Sequence, residues 1–494
     1  MKILLLTPII SQRDLWGKFE KGGGSYFPIG LLYIAGAARE AGHQVDLLDA
    51  STLRTDEDGL VRHLEAGDYG VIGFGNCYTA HMHAIHNTAK ICKRVQPNAK
   101  LVVGGTHPTL FPKETMERFE EFDALVFGEG EATFTELLEH YSGGASVLPD
   151  IKGITYRSES GITSNPARQG IKDMGELPEL PYDLLVVDRY EPPPSNYRAL
   201  PTFAFIVSRG CPYKCSYCDV RVHGRKMRYD EAERAVTQLK HLKQTYGMKG
   251  VYFLDSIMTV NRKFIIKLCK RMVEEKLDLQ WSCSTRVNCV DPELLGWMKK
   301  AGCWNISFGL ESGNDESLKR MNKAATTAQA REAVKIVKKA GIQVTGFFIL
   351  CLPGEDEAMT LNTVRFAKEL KMNTSIFFLP VPFPGTQLYE DCKEIGGLQE
   401  NIQWEDYKQW MDPTVPLWVN PLIGKERMLE LYNLAIRAFY LSPSTLIRTA
   451  LNIKSLTELK KYAKGLYSMI EVLKESIASK SHRRRSMPEM RDVE

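Results

Sequence analysis

At 494 residues the chain exceeds what one compact core usually organises, so two or three domains are expected. Its 64 basic and 60 acidic residues leave a formal charge of +4, too small to hold nucleic acid by bulk electrostatics. A hydrophobic fraction of 44% excludes a disordered chain, and no run reaches the ~18 apolar residues of a membrane-spanning helix.

Residues 1–141 alternate short apolar β-rich runs with helical patterns, the signature of parallel βαβ units. The opening MKILLLTPII has no cleavable leader pattern, which points to a cytoplasmic chain. Expected strands are Lys2–Pro8, Gln44–Asp49, Gly70–Phe74, Lys100–Val103 and Ala124–Phe127, with helices such as Pro28–Ala41 and Thr79–Val95 between them. Five strands of this kind make a doubly wound sheet of Rossmann or flavodoxin type, whose ligands lie beyond the carboxyl ends of the strands. Those ends carry Thr7 and Pro8, Asp49, Asn76, Gly104-Gly105-Thr106-His107 and Gly128-Glu129-Gly130-Glu131. Glycine at two of them either admits a bulky planar or phosphate-bearing ligand or simply makes a tight turn. His81, His83 and His86 share one helix, but no carboxylate or cysteine completes a ligand set, so they read as a partly exposed face.

Residues 142–200 are rich in Gly and Pro and form a linker, with a small hairpin over Gly153–Arg157 and Ile162–Thr163. Alternation resumes in 201–390, with strands at Phe203–Ser208, Gly250–Leu254, Leu279–Ser284, Asn305–Leu310, Gln343–Leu350 and Ser375–Val381. Six such repeats suit an incomplete (β/α)6 barrel of the TIM type. Residues 391–479 are mainly helical, with amphipathic stretches at Leu429–Leu451 and Leu456–Ile477, and 480–494 form a basic, disordered tail. The helices either pack over the barrel mouth or make peripheral membrane contact, which would suit a lipid or pigment substrate.

Eight of the eleven cysteines are scattered in apolar surroundings, but Cys211, Cys215 and Cys218 form a C-x3-C-x2-C triplet directly after the first barrel strand. That position is a loop at the barrel mouth, where barrel enzymes keep their active sites. Three soft sulfur ligands select an iron–sulfur cluster or zinc. Structural zinc wants a fourth protein ligand, for which His223 is the nearest candidate.

A C-x3-C-x2-C loop after the first strand of a partial barrel resembles the radical S-adenosylmethionine (SAM) superfamily. The resemblance implies that Cys211, Cys215 and Cys218 hold a [4Fe–4S] cluster whose open iron binds SAM. It implies reductive cleavage of SAM to a 5′-deoxyadenosyl radical, with electrons from a donor such as flavodoxin or ferredoxin. It also makes Tyr217, Asp255, Ser284, Arg286, Glu311 and Leu352 the SAM-binding set. A carboxylate at Asp255 suits the SAM ammonium, and the Arg286 fork suits a carboxylate.

A doubly wound domain ahead of such a barrel resembles the cobalamin-dependent radical SAM enzymes, including anaerobic magnesium-protoporphyrin ester cyclases and C-methyltransferases. By that resemblance Thr7, Pro8, Asn76, Gly104, Gly105, Thr106, His107, Gly128, Glu129, Gly130 and Glu131 line a cobalamin pocket. The D-x-H-x-x-G segment that supplies a cobalt-binding histidine elsewhere is absent, since Asp14-Leu15-Trp16-Gly17 has no histidine. Members of this radical subgroup bind cobalamin without it. The implied activity is methylation of an unactivated carbon on a small-molecule, pigment or lipid-like substrate; the alternative is ring formation or rearrangement. A tRNA methylthiotransferase would carry three cluster cysteines in its first domain, where this chain has only Cys77 and Cys92. A cobalamin sensor without catalysis would leave the triplet unexplained.

Overall fold

In a computed structural model, residues 1–451 are described apart from 18, 19, 21, 22 and 411–413, and beyond them 453, 458, 459 and 463. The expected helix Leu456–Ile477 and the basic tail therefore lie almost wholly outside the described residues.

The first sheet contains β1 (Lys2–Thr7), β2 (Gln44–Asp49), β3 (Val71–Phe74), β4 (Lys100–Gly104), β5 (Ala124–Val126), β6 (Ile154–Ser158) and β7 (Gly161–Ser164). Its order is β2-β1-β3-β4-β5-β6-β7, with the first five strands parallel. The 2-1-3-4-5 arrangement selects the flavodoxin-like topology and puts the switch point between β1 and β3. Central β1 is apolar from Ile3 to Leu6, and these four residues are at most 1% exposed because helices cover both faces. The hairpin expected inside the linker instead extends this sheet, pairing antiparallel to β5 through β6. Burial of Ile154 and Tyr156 against the sheet's core accounts for that placement.

The second large sheet holds β8 (Thr202–Phe205), β11 (Gly250–Phe253), β12 (Gln280–Thr285), β13 (Cys303–Glu311), β14 (Gln343–Ile349) and β15 (Thr374–Phe378). These six pair in parallel and in chain order, an open barrel. Between β8 and β11 a short antiparallel pair, β9 (Ser208–Arg209) and β10 (Arg228–Tyr229), pinches off the loop that carries the three cysteines.

Both open edges are covered. At β8, Phe27 of the first domain stacks between Tyr190 and Phe203, with ring centroids 4.3 and 4.6 Å away. Ile29, Leu32 and Tyr33 follow it into the barrel's own core. At β15 lies the helix Lys425–Tyr440, which buries Met428, Leu431, Tyr432, Ala435 and Phe439 in that core, while Tyr440 donates to the Ser375 carbonyl at 2.8 Å. The expected amphipathic stretch Leu429–Leu451 is thus two helices, broken between Tyr440 and Pro443, and its first part seals the barrel edge rather than the mouth.

Candidate active site

A cavity of about 1030 Å³ opens between the carboxyl ends of β1–β5 and the mouth of the barrel. Small-molecule pockets usually span about 300–1,000 Å³, so this one suits a ligand larger than an ordinary metabolite. On the first-domain side it is lined by the post-β3 segment Gly75–His81, by Gly104-Gly105-Thr106 and by Gly128-Glu129-Gly130-Glu131. On the barrel side it is lined by Arg209, Tyr217, Cys218, His223, Tyr252, Phe383 and Tyr407. Gly128 has φ +79° and nothing within 4 Å of a would-be Cβ, so its backbone is bare toward an occupant.

Several first-domain candidates do other work. Thr7 is fully buried and donates to Asp49 at 2.7 Å, and neither it nor Pro8 lines the cavity. His107 turns away from it. Its imidazole donates to or accepts from Thr79 Oγ1 at 3.1 Å and lies 4.3 Å from the Trp404 ring, and burial lowers its pKa to about 3. Of the three clustered histidines, His81 lines the cavity beside Tyr78, whereas His86 pairs with Glu121 at 2.9 Å. Asn76, Gly104, Gly105, Thr106 and the 128–131 turn do meet the cavity.

The cysteine loop is held from outside by backbone. Ser216 N–H donates to the Met321 carbonyl, and the Ser216 carbonyl accepts from Leu388 N–H, both at 2.9 Å. Gly210 precedes the first cysteine with φ +95°, and a Cβ there would stand 2.3 Å from the Lys226 carbonyl oxygen, so only glycine fits. The three thiols are neighbours: burial, then the charges of Cys211 and Cys215, push the Cys218 thiol up to about 11. Among the described residues no three His, Cys, Asp or Glu side chains converge on one metal position. A [4Fe–4S] cluster takes thiolates on separate irons and so needs a spread triplet rather than a single point of convergence. His223 is not a fourth ligand here; its Nδ1 lies 2.9 Å from Glu129 Oε1.

Arg286 is buried above this loop. Its guanidinium lies 3.8 Å from the Tyr213 ring centroid and Nη1 donates to Cys215 Sγ at 3.3 Å, while Nε and Nη2 have no partner. Nε and Nη2 form one edge of the fork, the edge that grips a carboxylate bidentately. Tyr217 donates to Glu311 at 2.8 Å, and Lys323 Nζ reaches both, 2.8 Å from the hydroxyl and 2.7 Å from the carboxylate. Glu311 sits at φ +63° beside a register shift in β13, a strained backbone at a strand end. Asp255 turns its carboxylate to Val207 N–H and the Ser208 hydroxyl, the strand leading into the cysteine loop, and burial raises its pKa to about 6. Ser284 meets the Tyr252 hydroxyl, and Leu352 packs with Leu318 and Met321. Of the SAM-binding candidates, Tyr217 alone lines the large cavity.

The sequence reading missed Arg209, Arg228 and Lys323. Arg209 stood in plain view two residues before Cys211, but its role depends on a turn nearly eighty positions earlier.

Comparison with known proteins gives these features a common frame. Residues 19–138 match the B12 binding domain family, and residues 205–367 match the radical SAM superfamily. An uncharacterized methyltransferase of Pyrococcus horikoshii is 33% identical over 449 residues, covering 91% of this chain and 94% of its own. The chain belongs to the cobalamin-dependent radical SAM enzymes. Its cofactors are a [4Fe–4S] cluster, SAM and cobalamin. The anaerobic magnesium-protoporphyrin IX monomethyl ester cyclase of Cereibacter sphaeroides is 27% identical over 435 residues, 86% of this chain and 69% of that one. The fold matches the radical SAM methyltransferase TsrM from Kitasatospora setae, solved with cobalamin and a [4Fe–4S] cluster, at a TM-score of 0.69 and 15% identity over 96% and 99% of the chains. Among the described residues no helix is long and apolar enough to cross a membrane.

Proposed function

We propose that this enzyme methylates an unactivated carbon of a small, pigment-like or lipid-like molecule. The observation that carries the reading is the cavity itself, walled on one side by the B12-type strand ends and on the other by Cys218 and Tyr217 of the cluster loop. A methyl donor in the first domain and a radical source in the second would meet in that shared space. Near full-length similarity to a methyltransferase favours methyl transfer over cyclisation.

Bound cobalamin supplies the methyl carrier, and the cluster with SAM supplies the radical. The chain's own part is placement. Cys211, Cys215 and Cys218 are proposed to hold the cluster, and the free Nε/Nη2 edge of Arg286 fits the SAM carboxylate. Tyr217, fixed by Glu311 and Lys323, presents a rigid ring beside the loop. Asn76, Gly104, Gly105, Thr106 and the bare backbone of Gly128 are assigned to the corrin, with His107 excluded by its orientation. Cavity rings of Tyr26, Tyr78, Tyr252, Phe383 and Tyr407 favour an apolar or aromatic substrate. A small donor such as flavodoxin or ferredoxin would deliver electrons. Leu446 and Ile447, 51% and 62% exposed on the helix Pro443–Leu451, support peripheral membrane contact for a lipid-like substrate.

Anaerobic reconstitution tests the core. About four irons per chain, lost when Cys211, Cys215 and Cys218 are replaced by Ala, are expected; a colourless zinc protein overturns it. With SAM labelled in its methyl group, label in the product establishes methylation, and an unlabelled cyclised product establishes the cyclase alternative. Liposome co-sedimentation of the full chain and of one ending at 442 tests the membrane contact, and equal binding ends it.

A further inference from the structure

The turn Gly128-Glu129-Gly130-Glu131 looks in two directions. All four of its residues line the cavity of the first domain, while its two carboxylates are engaged by the barrel. Glu129 is 8% exposed and accepts from Arg228 Nη2 at 2.7 Å and Nη1 at 2.8 Å. The same carboxylate lies 2.9 Å from His223 Nδ1 and 3.5 Å from Arg209 Nη1, and accepts from the Ile171 N–H at 2.7 Å. Glu131 accepts from Arg209 Nη2 at 2.6 Å.

The three side-chain partners are not scattered over the barrel. Arg209 ends β9, Arg228 begins β10, and His223 lies within the loop between them. They bracket Cys211, Cys215 and Cys218. Arg209 is only 4% exposed and stacks its guanidinium 4.8 Å from the ring of Tyr33, on the first domain's helix Ile29–Glu40. Arg228 also donates to the Ile171 carbonyl of the linker at 2.6 Å. Three chain segments that never meet in sequence thus close on one turn.

Charge-assisted, bidentate hydrogen bonds are directional and strong where water is excluded. They fix angle as well as distance, which loose apolar contact between two domains does not. Catalytic geometry tolerates errors of only about 0.5 Å, so two cofactors on different domains need such a fixing element.

We propose that this turn is the joint that registers the cluster loop against the cobalamin cavity, with Glu129 as its principal positioning residue. The proposal rests on the cofactor pair assigned above. It also reassigns Glu129 and Glu131: their side chains serve the neighbouring domain rather than the corrin.

The test is the dipolar interaction between cob(II)alamin and the reduced cluster, measured by pulsed electron paramagnetic resonance on the fully loaded protein. The wild type should give one narrow distance distribution. Glu129→Gln, isosteric but uncharged, should keep iron and cobalamin content while the distribution roughly doubles in width, and Glu129→Asp should recover part of the narrowing. Glu57→Gln, which breaks an exposed ion pair with Arg94 outside the cavity lining, should change nothing. If Glu129→Gln does not load both cofactors, Glu131→Gln is measured in its place with the same expectation. A variant that melts earlier yet keeps the narrow distribution shows a merely structural contact and overturns the proposal. A wild type lacking either paramagnetic signal would instead overturn the cofactor assignment.

Discussion

Two buried carboxylates a few residues from the reaction space have opposite electrostatics. Asp255 meets only neutral donors, so burial dominates and its pKa rises to about 6. For Glu129 burial also pushes upward, but hydrogen bonds from His223 and Arg228 and the charges of Arg209 and Arg228 outweigh it, and its pKa falls to about 2. A depressed folded-state value means that the stabilisation is complete above the ordinary carboxylate range and disappears as pH falls from about 4.5 toward 2. In the cluster-free protein, the melting temperature of Glu129→Gln should therefore lie well below that of the wild type at pH 6, with the gap closing below pH 4.5. A gap independent of pH would contradict the ionised network. Breaking one partner of a buried pair typically costs about 3–5 kcal/mol, because the other charge stays buried.

Among the elements, the cysteine loop depends most on a single backbone position. Gly210→Ala would place a methyl group 2.3 Å from the Lys226 carbonyl oxygen at a φ of +95°. The left-handed conformation alone costs about 1–2 kcal/mol; the clash displaces the loop. Reconstituted iron per chain should fall severalfold while far-ultraviolet circular dichroism stays unchanged, and full iron loading would show that the loop tolerates the shift. Most strands of both sheets stood out in the sequence within two residues, because Val, Ile, Leu and Phe runs bounded by Gly or Asp report burial between helices directly, whereas the expected ends at Ser208 and Val381 overran the first and last barrel strands by three residues. The cysteine spacing was legible because chemistry demands it. Pairings of Glu129 with Arg228, Glu311 with Lys323 and Asp255 with Ser208 were not, since each acidic residue was equally good as a cofactor contact until its neighbour in space was known. The hairpin β6–β7 was visible as a hairpin, but not as the edge of the first sheet, because register across a long connection leaves no local mark.

At the scale of the molecule the two domains share a core instead of merely touching. Phe27, Ile29, Leu32 and Tyr33 belong to the barrel's apolar cluster, and the helix Lys425–Tyr440 closes its far edge. A chain ending at residue 423 would lose Met428, Leu431, Tyr432 and Phe439 from that cluster. Each large apolar truncation in a core costs ~2–5 kcal/mol. Such a chain should lose its cooperative melting transition, whereas one ending at 451 should keep it; scanning calorimetry distinguishes them.

The cavity wall draws on residues from Leu5 to Tyr407. A ribosome that has released the first domain has therefore made only half a container. The first domain's cavity face is open to solvent until Phe383 and Tyr407 emerge some 250 residues after β5, more than ten seconds later at elongation rates of about 5–20 residues per second. Full enclosure of any occupant of this cavity thus belongs to a chain synthesised at least as far as Tyr407.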